Sequence, residues 1–218
     1  MLVALAYLLP RHRIQAARPI QPDVAVVVPV RNRQESVRSL IEGILASDYP
    51  SALLRVVIVD TGSQDATVRR TEEVMRKSNR VFLVRIADPI GRGEMVKKGS
   101  GAYPQASIVV MLDPSVTLEA QAITNLVREF EDPWVAAVSG RVRSHPLHPL
   151  ARFGWWRAWE HMMRRLEAAF DSAIGCNSLL YAVRRDVAGR LSESALAENF
   201  EIAHIAIGLG KGCRVADT

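Results

Sequence analysis

The amino-acid sequence predicts an α/β fold in which helices cover both faces of a mostly parallel central sheet. Short runs of apolar and β-branched residues alternate with segments of helical periodicity along most of the chain. These runs are continuously apolar, as in strands that are buried on both faces. Two of them stop on an acid, Asp60 and Asp113. Since ligands of open α/β sheets lie outside the carboxyl ends of the strands, both acids are candidates for one crevice.

The clearest unit is LRVVIVDTGSQDAT, residues 54–67. Five of its first six residues are apolar or β-branched, which predicts a buried strand that ends at Asp60. A turn through Gly62 follows, and Ser63 or Asp65 is expected to N-cap the next helix. On this stretch alone, a ligand-binding role and a loop-capping role for Asp60 are equally compatible with the pattern.

The other elements follow in the same alternation. Strands are predicted over 23–30, 54–60, 80–86, 107–112 and 134–142, with helices over 36–47, 66–77, 91–103 and 123–130 between them. The second half is expected to contain a helix over 153–170, a turn and strand over 175–185, a helix over 195–209 and a strand-like end over 212–218. Strands separated by helices are joined by crossovers, so a mostly parallel sheet is expected.

Composition places the chain among ordinary globular proteins. Apolar residues make up 49% and charged residues 23% of its 218 residues. The net charge of +5 suits an anionic ligand or membrane surface. No stacking platform or recognition motif accompanies that charge, so a nucleic-acid partner is not expected. The two cysteines, Cys176 and Cys213, fit no metal spacing and are interpreted as reduced core residues of a cytoplasmic domain.

The N-terminal segment differs from the rest. Residues 1–9, MLVALAYLL, are all apolar, and basic residues follow them. Nine residues are too few to span a bilayer, which needs about 20 in a helix. The segment is either the end of a transmembrane helix or a helix docked on the core, and we favour membrane contact. The tryptophans and arginines of 153–170 fit an interfacial membrane helix or core packing, and we favour core packing.

The candidate crevice has the chemistry to bind a nucleoside diphosphate. One carboxylate can accept hydrogen bonds from ribose hydroxyls or a base N–H, and a second can hold a divalent cation. Arg92, which opens the helix after the third strand, offers a planar cationic fork to phosphate oxygens. The sequence has no GxGxxG after the first strand and no P-loop, which argues against a dinucleotide or ATP enzyme of the usual kind.

Six motifs in this order resemble the family 2 glycosyltransferases. They are VVVPVRN (26–32), VVIVDTGSQDAT (56–67), GRG (91–93), VVMLDPS (109–115), GCNSLLYAVRR (175–185) and AENFEIAHIAIGLGKGCRV (197–215). The resemblance extends over nearly everything from Asp23 onward. It implies an inverting enzyme with the glycosyltransferase A fold, in a family that includes cellulose and hyaluronan synthases.

The resemblance also implies roles for individual residues. Pro29 and Arg31 fall where the family surrounds the nucleotide base, and Asp60 matches the acid that contacts the base or ribose. Arg92 lies in the segment that flanks the nucleotide. Asp113 matches the first acid of the DxD motif, which binds ribose and the metal–diphosphate group. In addition, Gly175 and the arginines 184–185 match the acceptor-side loop and the residues after it.

Two positions depart from the family pattern. Ser115 stands at the second acid of DxD, so the expected divalent cation (Mn²⁺ or Mg²⁺) at Asp113 has a weakened ligand set. Asn199 stands at the catalytic base, and an amide cannot accept the acceptor's proton. Glu198 is then the candidate catalytic residue. It reaches the base position only if the helix start is rotated, since a helix turns by about 100° per residue.

Together, these observations predict transfer of a sugar from a nucleoside diphosphate sugar, preferably a UDP-sugar, to an acceptor hydroxyl with inversion. The expected acceptor is a carbohydrate or a lipid-linked molecule, and the expected location is the cytoplasmic face of a membrane or the cytoplasm. We expect an apolar segment over 1–20 and a catalytic domain over 21–218, divided into a nucleotide-binding half (21–145) and an acceptor-side half (146–218). The alternative is a nucleotide-binding or scaffolding protein that has lost catalysis.

Overall fold

The computed structural model describes residues 20–87, 90–141, 176–192 and 198–216. The strands in these ranges are β1 Val24–Val30, β2 Leu54–Asp60, β3 Val81–Arg85, β4 Ile108–Leu112, β5 Val135–Ser139, β6 Leu180–Arg184 and β7 Gly212–Val215. The helices are α1 Val37–Leu45, α2 Thr67–Met75, α3 Arg92–Ala102, α4 Ala122–Arg128, α5 Arg185–Ala188 and α6 Glu198–Gly208, with a 3₁₀ turn over Glu129–Glu131 after α4.

These strands form one sheet in the order β3-β2-β1-β4-β6-β5-β7. β1 is parallel to both of its neighbours, β2 and β4, and β2 is parallel to β3. β6 runs antiparallel between β4 and β5, and β5 is parallel to β7. The predicted mostly parallel α/β sheet is therefore confirmed. The reversed direction of β6 was not predicted, because an apolar run has the same appearance in either direction.

The core lies on both faces of the sheet, and β1 shows how. Its alternate residues 24, 26, 28 and 30 pack with apolar side chains of α1, α2 and α4. Residues 25 and 27 point the other way and pack with apolar side chains of α3, α5 and α6. Because helices cover both faces of the sheet, neither face is exposed to solvent, and polar residues do not alternate with apolar ones along the strands. This explains the continuously apolar strands.

Most predicted elements are present, with ends shifted by one to three residues. The prediction that Ser63 caps α2 is wrong, because Ala66 is the N-cap residue and Ser63 Oγ accepts the Asn32 N–H at 2.9 Å. Asp65 does accept the backbone N–H of Thr67, at 2.9 Å. Arg185 begins α5 and is not part of the preceding strand.

Several expectations concern residues outside the described ranges, namely the apolar segment 1–9, the helix over 153–170 and Gly175. The proposed division into two halves also remains a prediction. Among the residues that the structure describes, no helix has the length and apolar character needed to cross a membrane.

Helix α3 packs unusually close to the sheet at Gly99. A Cβ atom at this position would lie 2.5 Å from Cγ1 of Val27 in β1 and 3.2 Å from Cγ2 of Val59 in β2. The first of these distances is shorter than real Cβ contacts, so only glycine permits this approach. The contact fixes the position of α3, whose first residue is Arg92.

We expect Gly99→Ala to lower the free energy of unfolding by about 1–3 kcal/mol, because the added methyl overpacks a fully buried contact. Gly101, in the same helix, provides the matched control, because a Cβ atom added there would have no neighbour within 4 Å. Gly101→Ala should raise the free energy of unfolding by about 0.5 kcal/mol through backbone entropy. Urea denaturation measures both, and equal effects of the two substitutions would contradict the packing argument.

Candidate functional site

The carboxyl ends of β1, β2 and β4 lie at one edge of the sheet because the three strands are parallel. Asp60 is the last residue of β2, and Asp113 directly follows β4. β1 lies between these two strands, with Pro29 near its end. The structure thus brings Pro29, Asp60 and Asp113 to one edge, as the sequence predicted, with the two acids separated by the width of one strand.

The loops after β1 and β2 are tied together by hydrogen bonds next to Asp60. Besides the Asn32–Ser63 bond, the Gln64 N–H donates to Asn32 Oδ1 at 2.9 Å, and the Ala66 N–H donates to Gln34 Oε1 at 3.0 Å. Asn32 adopts a φ of 51°, a left-handed conformation that asparagine tolerates. Sequence reasoning missed this linkage, since its partners are about thirty residues apart. It fixes the backbone that carries the exposed side chain of Arg31.

Asp60 is a buried carboxylate, and one of its two oxygens accepts no hydrogen bond from the described residues. Its side chain is 3% exposed, and Oδ2 accepts the backbone N–H of Ser63 at 3.2 Å. Oδ1 is buried and has no hydrogen-bond partner among the residues that the structure describes. Since nearly all buried polar atoms in folded proteins are paired, an unpaired carboxylate oxygen at a sheet edge indicates a missing donor.

Asp113 is held by Ser115 and faces Arg92. Oδ1 accepts the Ser115 N–H at 2.9 Å and its hydroxyl at 2.5 Å, and Oδ2 lies 3.6 Å from Arg92 Nη1. Burial by itself would raise the pKa of Asp113, but the hydrogen bonds from Ser115 and the charge of Arg92 outweigh it and hold the pKa below its usual range. Asp113 is therefore a carboxylate at neutral pH.

Arg92 joins segments that are far apart in the sequence. Its Nε–H donates to Glu198 Oε1 at 2.7 Å, and Nη2 donates to the carbonyl oxygen of Ser178 at 2.5 Å. Burial alone would lower the pKa of Arg92, but the hydrogen bond and charge of Glu198 outweigh burial and place it above its usual value. The guanidinium is permanently charged, and the side chain of Arg92 is 30% exposed.

Glu198 and Asn199 begin α6 beside this guanidinium. Glu198 is 1% exposed, whereas Asn199 is half-buried, and its carbonyl oxygen accepts the Cys176 N–H at 3.3 Å. Tyr181, in β6, is fully buried next to Glu198, and within the described ranges its hydroxyl has no hydrogen-bond partner. Burial, reinforced by the charge of Glu198, raises the pKa of Tyr181 well above its usual value, so the hydroxyl stays neutral. Sequence reasoning missed Tyr181, because it lies within an apolar run and nothing there distinguishes it from a core residue.

Residues 22–200 match the family described as glycosyltransferase like family 2. The chain belongs to this family. The glycosyltransferase AglE of Haloferax volcanii is 25% identical to it over 124 residues, which are 56% of this chain. The aligned part is 40% of AglE, so the chain spans less than half the length of that relative.

Solved structures confirm the glycosyltransferase A fold. The mannosyltransferase PcManGT of Pyrobaculum calidifontis, solved with GDP-mannose and Mn²⁺, superposes with a TM-score of 0.77 at 22% identity. The alignment covers 98% of this chain and 64% of PcManGT. Glucosyl-3-phosphoglycerate synthase of Mycobacterium tuberculosis, solved with Mn²⁺, UDP and phosphoglyceric acid, gives a TM-score of 0.60 at 20% identity. That alignment covers 89% of this chain and 68% of the synthase.

The ligand set for the divalent cation expected in a family 2 glycosyltransferase is small here. No group of three or more His, Cys, Asp or Glu side chains suited to a metal occurs within the described ranges. Asp113 supplies one carboxylate, and Ser115 a hydroxyl beside it. Magnesium is commonly held by one or two carboxylates together with substrate phosphates. The site therefore fits a cation that is held jointly with a diphosphate.

Arg184 and Arg185, which the family resemblance matched to the arginines after the acceptor-side loop, lie away from the edge of the sheet that carries Asp60 and Asp113. Arg184 pairs with Ile108 at the start of β4, whereas Asp113 follows its end. At about 3.3 Å per residue, the five residue steps from Ile108 to Asp113 correspond to roughly 16 Å along the strand. Arg184 donates to the carbonyl oxygen of Val135 at 2.7 Å, and Arg185 to that of Ser100 at 3.1 Å. Arg184 thus anchors the start of β5, and Arg185 anchors the C-terminal end of α3.

We expect Ser115→Ala to raise the pKa of Asp113 towards its ordinary value of about 3.9, because one of the bonds that stabilise the carboxylate is lost. Asp113 stabilises the fold above its unfolded pKa, and this stabilisation is lost as the pH falls through its lowered folded pKa. The variant should therefore lose less stability on acidification. A carboxyl carbon NMR titration measures the pKa. Ser39→Ala, on the surface of α1, serves as the control. An unchanged Asp113 pKa in Ser115→Ala would contradict this account.

Proposed function

We propose that this chain transfers a sugar from a nucleoside diphosphate sugar to an acceptor hydroxyl with inversion at the sugar carbon. The observation that carries the proposal is the contact of Arg92 with Asp113, at the same sheet edge as the unpaired oxygen of Asp60. The guanidinium of Arg92 can bind the phosphates of a nucleotide beside Asp113. The carboxylate of Asp60, on the other side of β1, can accept a hydrogen bond from the nucleotide base. Membership of a glycosyltransferase family supports this interpretation.

Each side chain then has a defined part. Asp60 accepts an N–H of the base, which Pro29 and Arg31 flank, and Asp113 binds the ribose and the diphosphate end. As the sugar is transferred, negative charge grows on the departing diphosphate, and Arg92 stabilises it. A divalent cation bound with the diphosphate at Asp113 would supply further charge neutralisation.

The proton of the acceptor hydroxyl must pass to a base. Asn199, at the family's base position, cannot accept a proton. Glu198 was predicted from the sequence to replace it and remains a candidate, although its carboxylate is bonded to Arg92.

UDP is the proposed nucleotide. Uracil presents a ring N–H that can donate to Asp60 Oδ1, as does guanine, whereas the corresponding ring nitrogen of cytosine is an acceptor. The structure of glucosyl-3-phosphoglycerate synthase with UDP supports this choice of nucleotide. GDP can form the same hydrogen bond to Asp60, and PcManGT was solved with GDP-mannose.

The proposed acceptor is a carbohydrate or a lipid-linked molecule, in polysaccharide or glycolipid synthesis at the cytoplasmic face of a membrane. Two large apolar side chains of α6 support membrane contact, because Phe200 is 52% and Ile207 63% exposed. They are seven residues apart and therefore lie on the same face of the helix. The apolar segment 1–9 is the second proposed contact.

A catalytically impaired nucleotide-binding protein is the second candidate. Three features favour it, namely the neutral side chains of Ser115 and Asn199 and the engagement of Glu198 by Arg92. In this case the Asp60 and Arg92 contacts would bind the nucleotide without turnover.

Calorimetric titration with UDP and CDP tests the nucleotide site. We expect UDP to bind at least tenfold more tightly than CDP, because Asp60 Oδ1 accepts the uracil N–H and repels the cytosine ring nitrogen. Asp60→Asn should narrow or reverse this preference, since the amide can donate to cytosine. Glu42→Gln, which changes an exposed carboxylate of α1, should leave the preference intact.

Equal losses of UDP and CDP affinity in Asp60→Asn would assign Asp60 to the ribose and contradict the base contact. Each titration is repeated with Mn²⁺, and metal-dependent UDP binding would support a cation at Asp113. Failure of the wild-type protein to bind UDP or GDP under either condition would overturn the transferase proposal.

We expect Asn199→Asp to increase the release of UDP from a UDP-sugar by tenfold or more, because general-base catalysis contributes about 10²–10⁴-fold. Water serves as the acceptor in this assay, so no acceptor need be identified. Asn199→Ala removes the amide without adding a base and should show no gain. An Asn199→Asp protein that binds UDP normally but releases no more of it would show that a missing base at this position does not limit turnover.

A further inference from the structure

Two nitrogens of the Arg92 guanidinium donate hydrogen bonds to described residues, and the third, Nη1, forms only a longer ion pair with Asp113 among them. Arginine carries five N–H donors in a rigid plane. Nε and Nη2 form one side of that plane, and both donate to protein acceptors, Glu198 Oε1 at 2.7 Å and the Ser178 carbonyl at 2.5 Å. Nη1 lies 3.6 Å from Asp113 Oδ2, beyond hydrogen-bond distance. In the part of the chain that the structure describes, the N–H groups of Nη1 therefore have no acceptor within hydrogen-bond distance.

Glu198 is poorly suited to accept a proton from an acceptor hydroxyl. It is 1% exposed, and its Oε1 is held by Arg92. A buried carboxylate is tolerated when it is paired and hydrogen-bonded. Protonation of Glu198 would leave the half-buried Arg92 without the negative charge of its short ion pair. The geometry gives Glu198 a different task from the one predicted from the sequence.

We infer that Glu198 is a positioning residue that orients Arg92 towards the diphosphate of the donor. It joins the first residue of α6 to the first residue of α3 across 106 positions of sequence. The ion pair fixes the edge formed by Nε and Nη2, and Nη1 therefore faces the space beside Asp113. A donor that finds this fork already oriented does not have to order the long arginine side chain on binding. This inference rests on the proposed function.

The negative charge of Glu198 and its oxygen that anchors Arg92 have opposite effects on the affinity for UDP. Two substitutions of Glu198 separate these effects. Loss of the negative charge alone should strengthen the binding of an anion. Loss of the oxygen that accepts the Arg92 Nε–H releases the guanidinium and should weaken the binding of UDP. Glu198→Ala and Glu198→Gln remove the same charge, but only glutamine retains an acceptor for the Nε–H. The difference between the two variants therefore reports positioning.

The experiment is a double-mutant cycle with UDP and uridine as ligands. We expect Glu198→Ala to weaken UDP binding about tenfold and to leave uridine binding unchanged, since a lost bond to a charged group has about this effect. Arg92→Ala should weaken UDP binding tenfold to a hundredfold, and adding Glu198→Ala to Arg92→Ala should cause no further loss of UDP affinity. Glu198→Gln should recover most of the affinity. Glu201→Gln, the next carboxylate along α6, should bind UDP as the wild type does.

Circular dichroism and thermal unfolding establish that each variant is folded. Glu198→Leu, which fills the buried space but offers no acceptor to Arg92, replaces Glu198→Ala if that variant does not fold. Wild-type UDP affinity in both Glu198 variants would overturn the inference while leaving the proposed function intact. Additive losses in the double variant would show that Glu198 acts independently of Arg92, and equal losses of UDP and uridine affinity would show a general structural role. Either result would also overturn it. Failure of the wild type to bind UDP or GDP would overturn the proposed function and the inference together.

Discussion

The arrangement of the candidate site depends on the ion pair between Arg92 and Glu198. A buried carboxylate requires a charged partner, and the permanently charged guanidinium meets that requirement at 2.7 Å. The pair connects the starts of α3 and α6, which pack on the same face of the sheet. Through Arg92, it also reaches Asp113 at the carboxyl end of β4. Three segments that are distant in the sequence thereby share one electrostatic unit.

The sheet determines where this unit can lie. β1, β2 and β4 are parallel, so their following loops gather at one edge. Gly99 lets α3 approach β1 and β2 closely, and Arg92 at its start is thereby held near the edge. β6 returns antiparallel, and for that reason Ser178, just before it, lies beside Arg92, while Arg184 at its end lies at the far edge. The direction of β6 therefore places Ser178 at the site and Arg184 at the opposite edge, where it has a structural role.

The two departures from the family pattern change the charge balance of the site. With Ser115 in place of an acid, Asp113 is the single carboxylate of the DxD position, and the serine hydroxyl donates to it. In the proposed function, a divalent cation there would take more of its ligands from the diphosphate, and Arg92 would supply a larger share of the positive charge. With Asn199 in place of the base, this position has no carboxylate to take up the proton of the acceptor hydroxyl.

The sequence by itself determined the α/β fold, the positions of most elements and the placement of Asp60 and Asp113 at strand ends, because burial on both faces and helical periodicity are local patterns. It also carried the resemblance to family 2 glycosyltransferases, which the family match confirms. Only the tertiary structure decided that β6 is antiparallel, that Arg184 and Arg185 lie away from the site and that Glu198 is bonded to Arg92. These features depend on contacts between residues far apart in the chain, and no local pattern records which distant partner a buried charge will meet.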